Sequence, residues 1–508
     1  MNIEVKPVFC IYDFRAKQQY IFRTNSVRES IGASALITWA YDGFIRRLVG
    51  NEWKIRTDYD FKGDMYINKA EVDFPDNPQD EVHWKAADGD MLAGRVIYIG
   101  GGSLYMMWRN RTIAIRANQE LCLLLREKTY GLSAVCGMAD VGENYETDFR
   151  AAETDYNYVK GNAPAFVPAA MLPFTKVDRK TTLPVTQYKK LAEKEEYTYL
   201  SEESWLKHQK YKERYDHNQP LFGETTNFDD MVTEKGHESL LAVIHIDGNN
   251  MGKHVKEAME NRGSYSDAVR EIRSFSNSIQ DCYVTKPLAM IREKIPEMPA
   301  GQNQFRTIIA GGDDLTLVCN ARIALEVVRL YFEALDQTNQ GLQGDQRHSA
   351  CAGICVFHSH FPFSRAYELA EECCANAKRK NRKLGGNHMM IDFQHCFGGT
   401  AGDLDAIRKN DVPEKMRRPY CYGKPETGNG ETVCSLADFQ EAGALFAGLG
   451  RSNVKYLAEL NLRNEDLMKI ELERLKALKK ISIPDNKLIF LHDVAQMYDL
   501  WFGKERTE

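Results

Sequence analysis

At 508 residues the chain has room for about three domains, and its 43% hydrophobic and 27% charged residues are an ordinary globular balance. With 66 basic against 72 acidic side chains the net charge is −6, which excludes a protein whose whole surface binds polyanions. Any nucleic-acid contact must come from a local patch.

The N-terminus, MNIEVKPVFCIYDF, has no basic and then apolar signal segment, and no apolar run approaches the roughly 18 residues of a membrane span. The twelve cysteines contain no C-x-x-C pair and read as buried thiols in a reducing compartment. The expectation is a cytoplasmic protein with no membrane partner.

In chain order, KPVFCIYD (6–13) is a strand ending in an acid, and 29–48 has helical spacing. RVIYIGGGSLYMMW (95–108) is a hairpin, 112–128 a helix, and LSAVCGMADV (132–141) a strand. After the polar, Tyr- and Lys-rich stretch 160–236 the same order returns. LLAVIHID (240–247) is a buried strand, and 266–292 a long helix with Pro296 and Pro299 as stops. RTIIAGGDDLTLVC (306–319) is a hairpin, followed by a helix at 321–335, a strand at 348–357 and a helix at 364–378. Both halves therefore read β-α-β-β-α-β, an α+β fold with two ferredoxin-like domains. The boundaries expected are 1–159 for the first domain, 160–236 for an inserted linker region and 237–400 for the second domain. A Gly- and Pro-rich linker at 401–434 precedes a helical C-terminal domain at 435–508, with four helical patterns up to about 501.

The two hairpins differ at their tips: Gly100-Gly101-Gly102-Ser103 in the first copy, Gly311-Gly312-Asp313-Asp314 in the second. In this fold the first strand lies beside the central hairpin, so Asp247 should meet Asp313 and Asp314. Two like charges about 4 Å apart repel by roughly 4 kcal/mol at an effective dielectric near 20. Such a cluster shares a proton or binds a cation, and carboxylates alone favour Mg²⁺ or Mn²⁺. Gly311 and Gly312 relax the strand and let a phosphate approach; Gly248, Asn249, Asn250 and Gly252 could offer backbone amides to it. Lys378 opens KRKNRK and could clamp a triphosphate. His245 reads as packed, and His492-Asp493 as part of an amphipathic helix rather than a phosphohydrolase motif.

IHIDGNNMG, IIAGGDDLTLV and SACAGICVFHSHFPFSRAYELAEECCANAK, in that order, resemble the cyclase-type palm of the large subunit of type III CRISPR–Cas effector complexes. Asp13, KQQYIF (17–22), RESIGASALI (28–37) and YIGGGSLY look like that subunit's inactive first palm, and the helical tail like its C-terminal domain. More distantly the palm is similar to that of GGDEF diguanylate cyclases. The resemblance implies an enzyme, a nucleotidyltransferase that makes cyclic oligoadenylate messengers from ATP with release of pyrophosphate in antiviral defence. It implies two divalent ions held by Asp247, Asp313 and Asp314, one activating the attacking hydroxyl and one neutralising the triphosphate. Gly248 and its neighbours would contact phosphate through the backbone, and Lys378 would bind the triphosphate. Guide-RNA effector subunits and RNA would be the partners.

Two departures shape the expectation. The chain starts at the first palm, without the N-terminal HD nuclease domain of many relatives. No cysteine lies between Cys136 and Cys282, so the zinc-binding cysteines usual between the palms are missing and DNA cleavage is not expected. A standalone defence cyclase would share these features. Two other readings stay open: synthesis of a cyclic dinucleotide, and a non-catalytic scaffold that binds nucleotide or RNA.

Overall fold

The computed structural model describes residues 6–503 apart from 25, 63–64, 71–73, 87, 143, 164–173, 192–195, 218–230, 233–238, 260–263, 296–303, 343–346, 397–401, 411–412, 425 and 429–430. The chain divides into two compact units, one of residues 1–222 with 251–281, the other of 223–250 with 282–508.

In the first unit the strand β1 (Val8–Arg15) is followed by α1 (Val27–Gly50), β2 (Gly94–Gly100), β3 (Ser103–Trp108), α2 (Arg111–Lys128), β4 (Ser133–Asp140) and α3 (Tyr145–Asn162). The short strand Ile55–Arg56, β2, β3, β1 and β4 lie side by side in that order. β1 is antiparallel to both of its neighbours. It is central because VFCIY is apolar on both faces and wholly buried. Asparagines start the two later helices: Asn110 accepts the Ile113 amide at 2.9 Å, and Asn144 the Glu146 amide at 2.9 Å.

The inserted region supplies a hairpin of β5 (Val185–Lys190) and β6 (Tyr197–Ser201), then α4 (Glu202–His217). After β7 (Leu240–Gly248), the helices α5 (Met251–Met259) and α6 (Tyr265–Gln280) belong to the first unit. There the buried Arg273 donates to the carbonyls of Ile97 (2.5 Å) and Val96 (2.6 Å), and the Tyr265 hydroxyl donates to Asp148 (2.9 Å). The long helix expected over 266–292 is interrupted. A π turn at Asp281–Thr285 separates α6 from α7 (Lys286–Lys294), and Pro287 sits in the first turn of α7. A proline can donate no backbone bond, so the helix restarts around it. Pro296 and Pro299 lie outside the described residues.

The second unit repeats the pattern with β7, β8 (Phe305–Gly311), β9 (Asp314–Asn320), α8 (Ala324–Thr338), β10 (Ala350–His358) and α9 (Phe363–Lys383), then extends the sheet with β11 (Met390–His395) and β12 (Tyr420–Cys421). The order is β8-β9-β7-β10-β11-β12. The duplication reaches single residues. Gly137 in β4 lies under α3, where a Cβ would come within 2.3 Å of the Ala152 carbonyl oxygen. Gly353 in β10 lies under α9, where a Cβ would come within 1.9 Å of the Ala370 carbonyl oxygen. Each glycine lets a helix cross directly on the backbone of its sheet.

Helix α10 (Leu404–Asn410) and the helices α11 (Leu436–Ala447), α12 (Arg451–Arg463), α13 (Glu465–Lys479) and α14 (Leu491–Met497) complete the unit. A buried ionic knot ties sheet to helices. Arg408 grips Asp392 at 2.7 and 2.9 Å, and Arg418 lies 3.4 Å from Asp493. Asp493 also accepts the Tyr420 hydroxyl at 2.5 Å and the Arg417 amide at 2.9 Å. The acid of the His492-Asp493 pair is thus structural. Among the described residues, which include all twelve cysteines, there is no disulfide, and no helix is long and apolar enough to cross a membrane.

Removing one partner of a buried ion pair strands the other in a low dielectric, at a cost of about 3–5 kcal/mol. Asp493→Ala is therefore expected to lower the unfolding free energy of the full chain, measured by urea denaturation, by that amount, whereas Glu473→Ala, on the exposed face of α13, should change it by less than about 1 kcal/mol.

Candidate functional site

The β8–β9 hairpin closes with Gly311 opposite Asp314, so its turn is Gly312-Asp313. Gly312 has φ +63°, the left-handed backbone that a tight two-residue hairpin turn requires. Asp314 opens β9 and lies directly opposite Asp247 of β7. The Gly248 amide donates to the Asp313 carbonyl at 3.2 Å, which fixes the turn against the end of β7. Strand register alone thus brings Asp247, Asp313 and Asp314 to one end of the second sheet.

Their electrostatics differ. Asp247 is engaged by Lys378, whose Nζ lies 2.6 Å from its carboxylate and also donates to the Gly248 carbonyl at 2.8 Å. Burial opposes the Lys378 charge, but the Asp247 charge and hydrogen bond outweigh it and raise the ammonium above its usual range. For Asp313, burial first, then the charges of Asp247 and Asp314, push the carboxyl up to about 7 against the opposing charge of Lys378. The buried Tyr283, Tyr331 and Tyr367 are held as phenols, chiefly by burial and in part by the charge of these acids.

His245 is packed, as its place in β7 suggests, but it also faces the site. Its Nδ1 lies 3.1 Å from Thr316 Oγ1 and 3.5 Å from Asp314, and its ring meets the edge of Tyr367 at 5.6 Å. Burial lowers its pKa against the opposing pull of Asp247 and Glu371, so the ring is neutral and adds no charge. The spacing of His245 and Asp247, two apart on one strand face, was the signal for this contact.

Asn249 and Asn250 secure the chain after β7. The Asn249 side chain donates to Ser349 Oγ and the His388 carbonyl, both at 3.0 Å, and its amide donates to the Ser349 carbonyl at 2.8 Å. Asn250 adopts φ +56° and donates to the Gly386 carbonyl at 3.0 Å. Asn381, inside KRKNRK, holds the same loop by donating to Gly386 and accepting the His388 amide, both at 3.0 Å. The amides of Gly248 and Asn249 are spent inside the fold, so the amide cradle expected over 248–252 does not include them in this conformation. Gly252 lies in α5 of the first unit and lines a cavity of about 240 Å³ with Tyr105, Phe149, Arg150, Val255 and Lys256. A Cβ at Gly311 or Gly252 would meet nothing within 4 Å, so neither glycine is there for want of space.

The first sheet shows the same geometry without the cluster. Asp13 of β1 lies opposite Ser103 of β3, as Asp247 lies opposite Asp314. Lys17 Nζ at 3.1 Å and Lys160 Nζ at 3.6 Å neutralise Asp13, and the Tyr156 hydroxyl donates to it at 2.7 Å. Lys17 also reaches the Gly101 carbonyl at 3.3 Å. One acid has two lysines beside it there; in the second sheet Lys378 pairs with Asp247.

Among the described residues no three His, Cys, Asp or Glu side chains already converge as a metal cage. The donor set nonetheless suits a hard divalent cation, because all three groups are carboxylates and Asp313 is charged only at the cost of repulsion. Between about pH 4 and 7 the folded chain holds a proton on Asp313 that the unfolded chain has released, so stability falls as pH rises through that window. Asp313→Asn should flatten that slope and, at pH 8 without metal, stabilise the protein by on the order of 2–4 kcal/mol. Thermal unfolding of both proteins from pH 4.5 to 8 measures it; parallel profiles would contradict the assignment.

Residues 240–384 match the family model for the second palm domain of Cas10/Cmr2. The match runs from the start of β7 through α9 and ends six residues after Lys378. Among solved structures the chain is similar to one in a Csm1-Csm4 cassette in complex with one ATP, at 13% identity and TM-score 0.51, covering 99% of this chain and 70% of that one. Chains in the same kind of cassette with pppApApA and with AMPPNP are similar at 13% identity and TM-score 0.50, each covering 70% of its own length and 97% and 98% of this chain. At that identity the likeness shows the fold. No curated protein matches the chain.

Proposed function

We propose that the chain is a metal-dependent nucleotidyl cyclase that joins ATP into cyclic oligoadenylate second messengers, releasing pyrophosphate, as the large subunit of an RNA-guided antiviral complex. The observation that carries the reading is the register pairing of Asp247 with Asp314, with Asp313 held near neutrality at the tip between them. A carboxylate cluster that destabilises its own fold is a poor choice for a scaffold. The second palm family match supports the reaction class, and the structural relatives crystallised with ATP and pppApApA support an adenine nucleotide as substrate.

Asp247, Asp313 and Asp314 would hold two Mg²⁺ or Mn²⁺ ions, which when bound would polarise the attacking hydroxyl and offset the charge of the triphosphate and its leaving group. Lys378, on its flexible stem, can exchange the Asp247 carboxylate for a triphosphate oxygen. Gly312 keeps the turn free of a side chain where the triphosphate approaches. Asn249, Asn250 and Asn381 position this end of the sheet by fixing the loop around Gly386, and His245 supports Asp314 as a neutral neighbour.

Incubating the full chain with ATP, GTP or both, with Mg²⁺ or Mn²⁺, and identifying products by mass spectrometry tests the reading. A cyclic adenylate product with pyrophosphate is expected. In Asp313→Ala/Asp314→Ala its formation should fall by at least about a hundredfold, the scale of losing groups that stabilise developing charge. Full activity in that variant would refute the site, and a cyclic dinucleotide product would replace oligoadenylate as the function. Lys378→Ala should raise KM for ATP more than it lowers kcat, because its contact would be made with the bound triphosphate before and during reaction.

A further inference from the structure

Two buried thiols of the second unit touch. In its sheet β10 runs parallel to β11, with Cys355 opposite Gln394 and Val356 opposite His395. The Cys396 amide continues the ladder one residue past β11, donating to the Val356 carbonyl at 2.8 Å. Alternate residues of a strand point the same way, so Cys396, two beyond Gln394, turns to the face that Cys355 uses. There the two sulfurs lie 3.4 Å apart. It is the face that α9 covers, since Gly353, two residues before Cys355, lies directly beneath that helix. Cys355 is 0% exposed and Cys396 3%.

An S–H is a weak donor and sulfur a weak acceptor, so the contact gives the core little that two apolar side chains would not. What it offers is covalent chemistry. A disulfide holds its sulfurs about 2.05 Å apart, a separation that small rotations of these two side chains can reach. The neighbouring thiols are engaged differently. Cys373 of α9 interacts with both members of the pair, but its sulfur accepts from Arg408 at 3.9 Å. Cys374 of the same helix donates to the Cys351 carbonyl at 3.2 Å rather than to a sulfur.

We propose that Cys355 and Cys396 are a peroxide-sensitive pair that closes to a reversible disulfide, stapling the end of β11 to β10. Disulfides of reducing compartments are of this transient, sensing kind. Burial, then the hydrogen bond with Cys396, pushes the Cys355 thiol well up, against the weaker pull of the Arg365 guanidinium. Cys396, the more exposed of the two, therefore reacts first. Its thiolate attacks one oxygen of hydrogen peroxide, the O–O bond breaks, and the leaving hydroxide takes up the thiol's proton as water. The Cys355 sulfur then attacks the sulfur of the Cys396 sulfenic acid; the S–O bond and the Cys355 S–H bond break, the S–S bond forms, and a second water leaves. Two thiols thus lose two electrons and two protons, and one peroxide becomes two waters; a dithiol reverses the change. Because burial holds Cys355 as a thiol, closure is slow, a response to sustained oxidant rather than a peroxidase turnover. β11 also carries Asp392 and Gln394, which hold Arg408 and Arg418 of the ionic knot, so the staple secures the strand to which the C-terminal helices are tied. The two cysteines are 41 positions apart, and a bond that closes so long a loop restricts the unfolded chain strongly. Neither cysteine belongs to the proposed cation site, so the proposal stands whether or not the chain is a cyclase.

The test treats the full folded chain with hydrogen peroxide, caps the remaining thiols with N-ethylmaleimide in urea, and maps the unreduced tryptic peptides by mass spectrometry. In most molecules the peptides of Cys355 and Cys396 are expected to be joined, two hydrogens lighter than the free pair, and separate after dithiothreitol. The Cys355 peptide also holds Cys351, and fragmentation should place the bond at Cys355. Cys396→Ser should abolish the link and Cys373→Ser should leave it. The wild-type map depends on no variant folding. Oxidation should also raise the thermal midpoint of the wild-type chain by about 5 °C relative to Cys396→Ser treated alike. Two cysteines that stay separate, or a Cys396 that advances to a sulfinic acid while Cys355 is still capped by maleimide, would overturn the proposal. A link made only in urea, or one that leaves the midpoint where it was, would overturn it equally.

Discussion

The second sheet is organised around an unfavourable contact. Antiparallel pairing of β7 with β9 sets Asp247 directly across from Asp314, and the two-residue turn leaves Asp313 beside both. Like charges opposite one another weaken a sheet, so the surrounding sequence must hold them in place. It does so with wholly buried apolar strands, with Lys378 on Asp247, and with an asparagine-bound loop behind β7. The cost falls on Asp313, whose carboxyl is pushed up to about 7 by burial and by the charges of Asp247 and Asp314.

The first sheet shows that the fold itself does not need this arrangement. The same strands, in the same order and with the same glycine beneath a crossing helix, carry a serine opposite the acid and two lysines around it. The two copies differ in charge balance, not in backbone plan. In the first, two lysines lie beside one acid; in the second, Lys378 pairs with Asp247 and the Asp313 carboxyl is pushed up to about 7. That contrast is the strongest internal argument that the acids of the second copy serve chemistry.

Much of this was legible in the sequence because it depends on short-range patterns. Apolar runs located the central strands, helical spacing located α1, α2, α8 and α9, and the order of the elements fixed which strand would lie beside the hairpin. The placing of Asp247, Asp313 and Asp314 at one end of the sheet followed from that order. What could not be read were contacts that depend on tertiary approach. The break in the long helix was marked only by Pro287, and the ionic knot of Asp392, Arg408, Arg418 and Asp493 joins residues a hundred positions apart. The use of the Gly248 and Asn249 amides inside the fold was equally invisible, since a glycine-rich turn reads the same whether its donors face a ligand or the protein.

The central claim is that Asp247, Asp313 and Asp314 form the proposed cation site. Calorimetric titration with Mn²⁺ in the presence of a non-hydrolysable ATP analogue, repeated in buffers of different ionisation enthalpy, tests it most directly. The account predicts binding that releases about one proton at pH 6 and almost none at pH 8, as Asp313 loses the proton it holds below about 7, and no such binding in Asp313→Asn/Asp314→Asn. Binding of equal strength and equal proton release in that variant, or none in the wild-type protein at either pH, would contradict it.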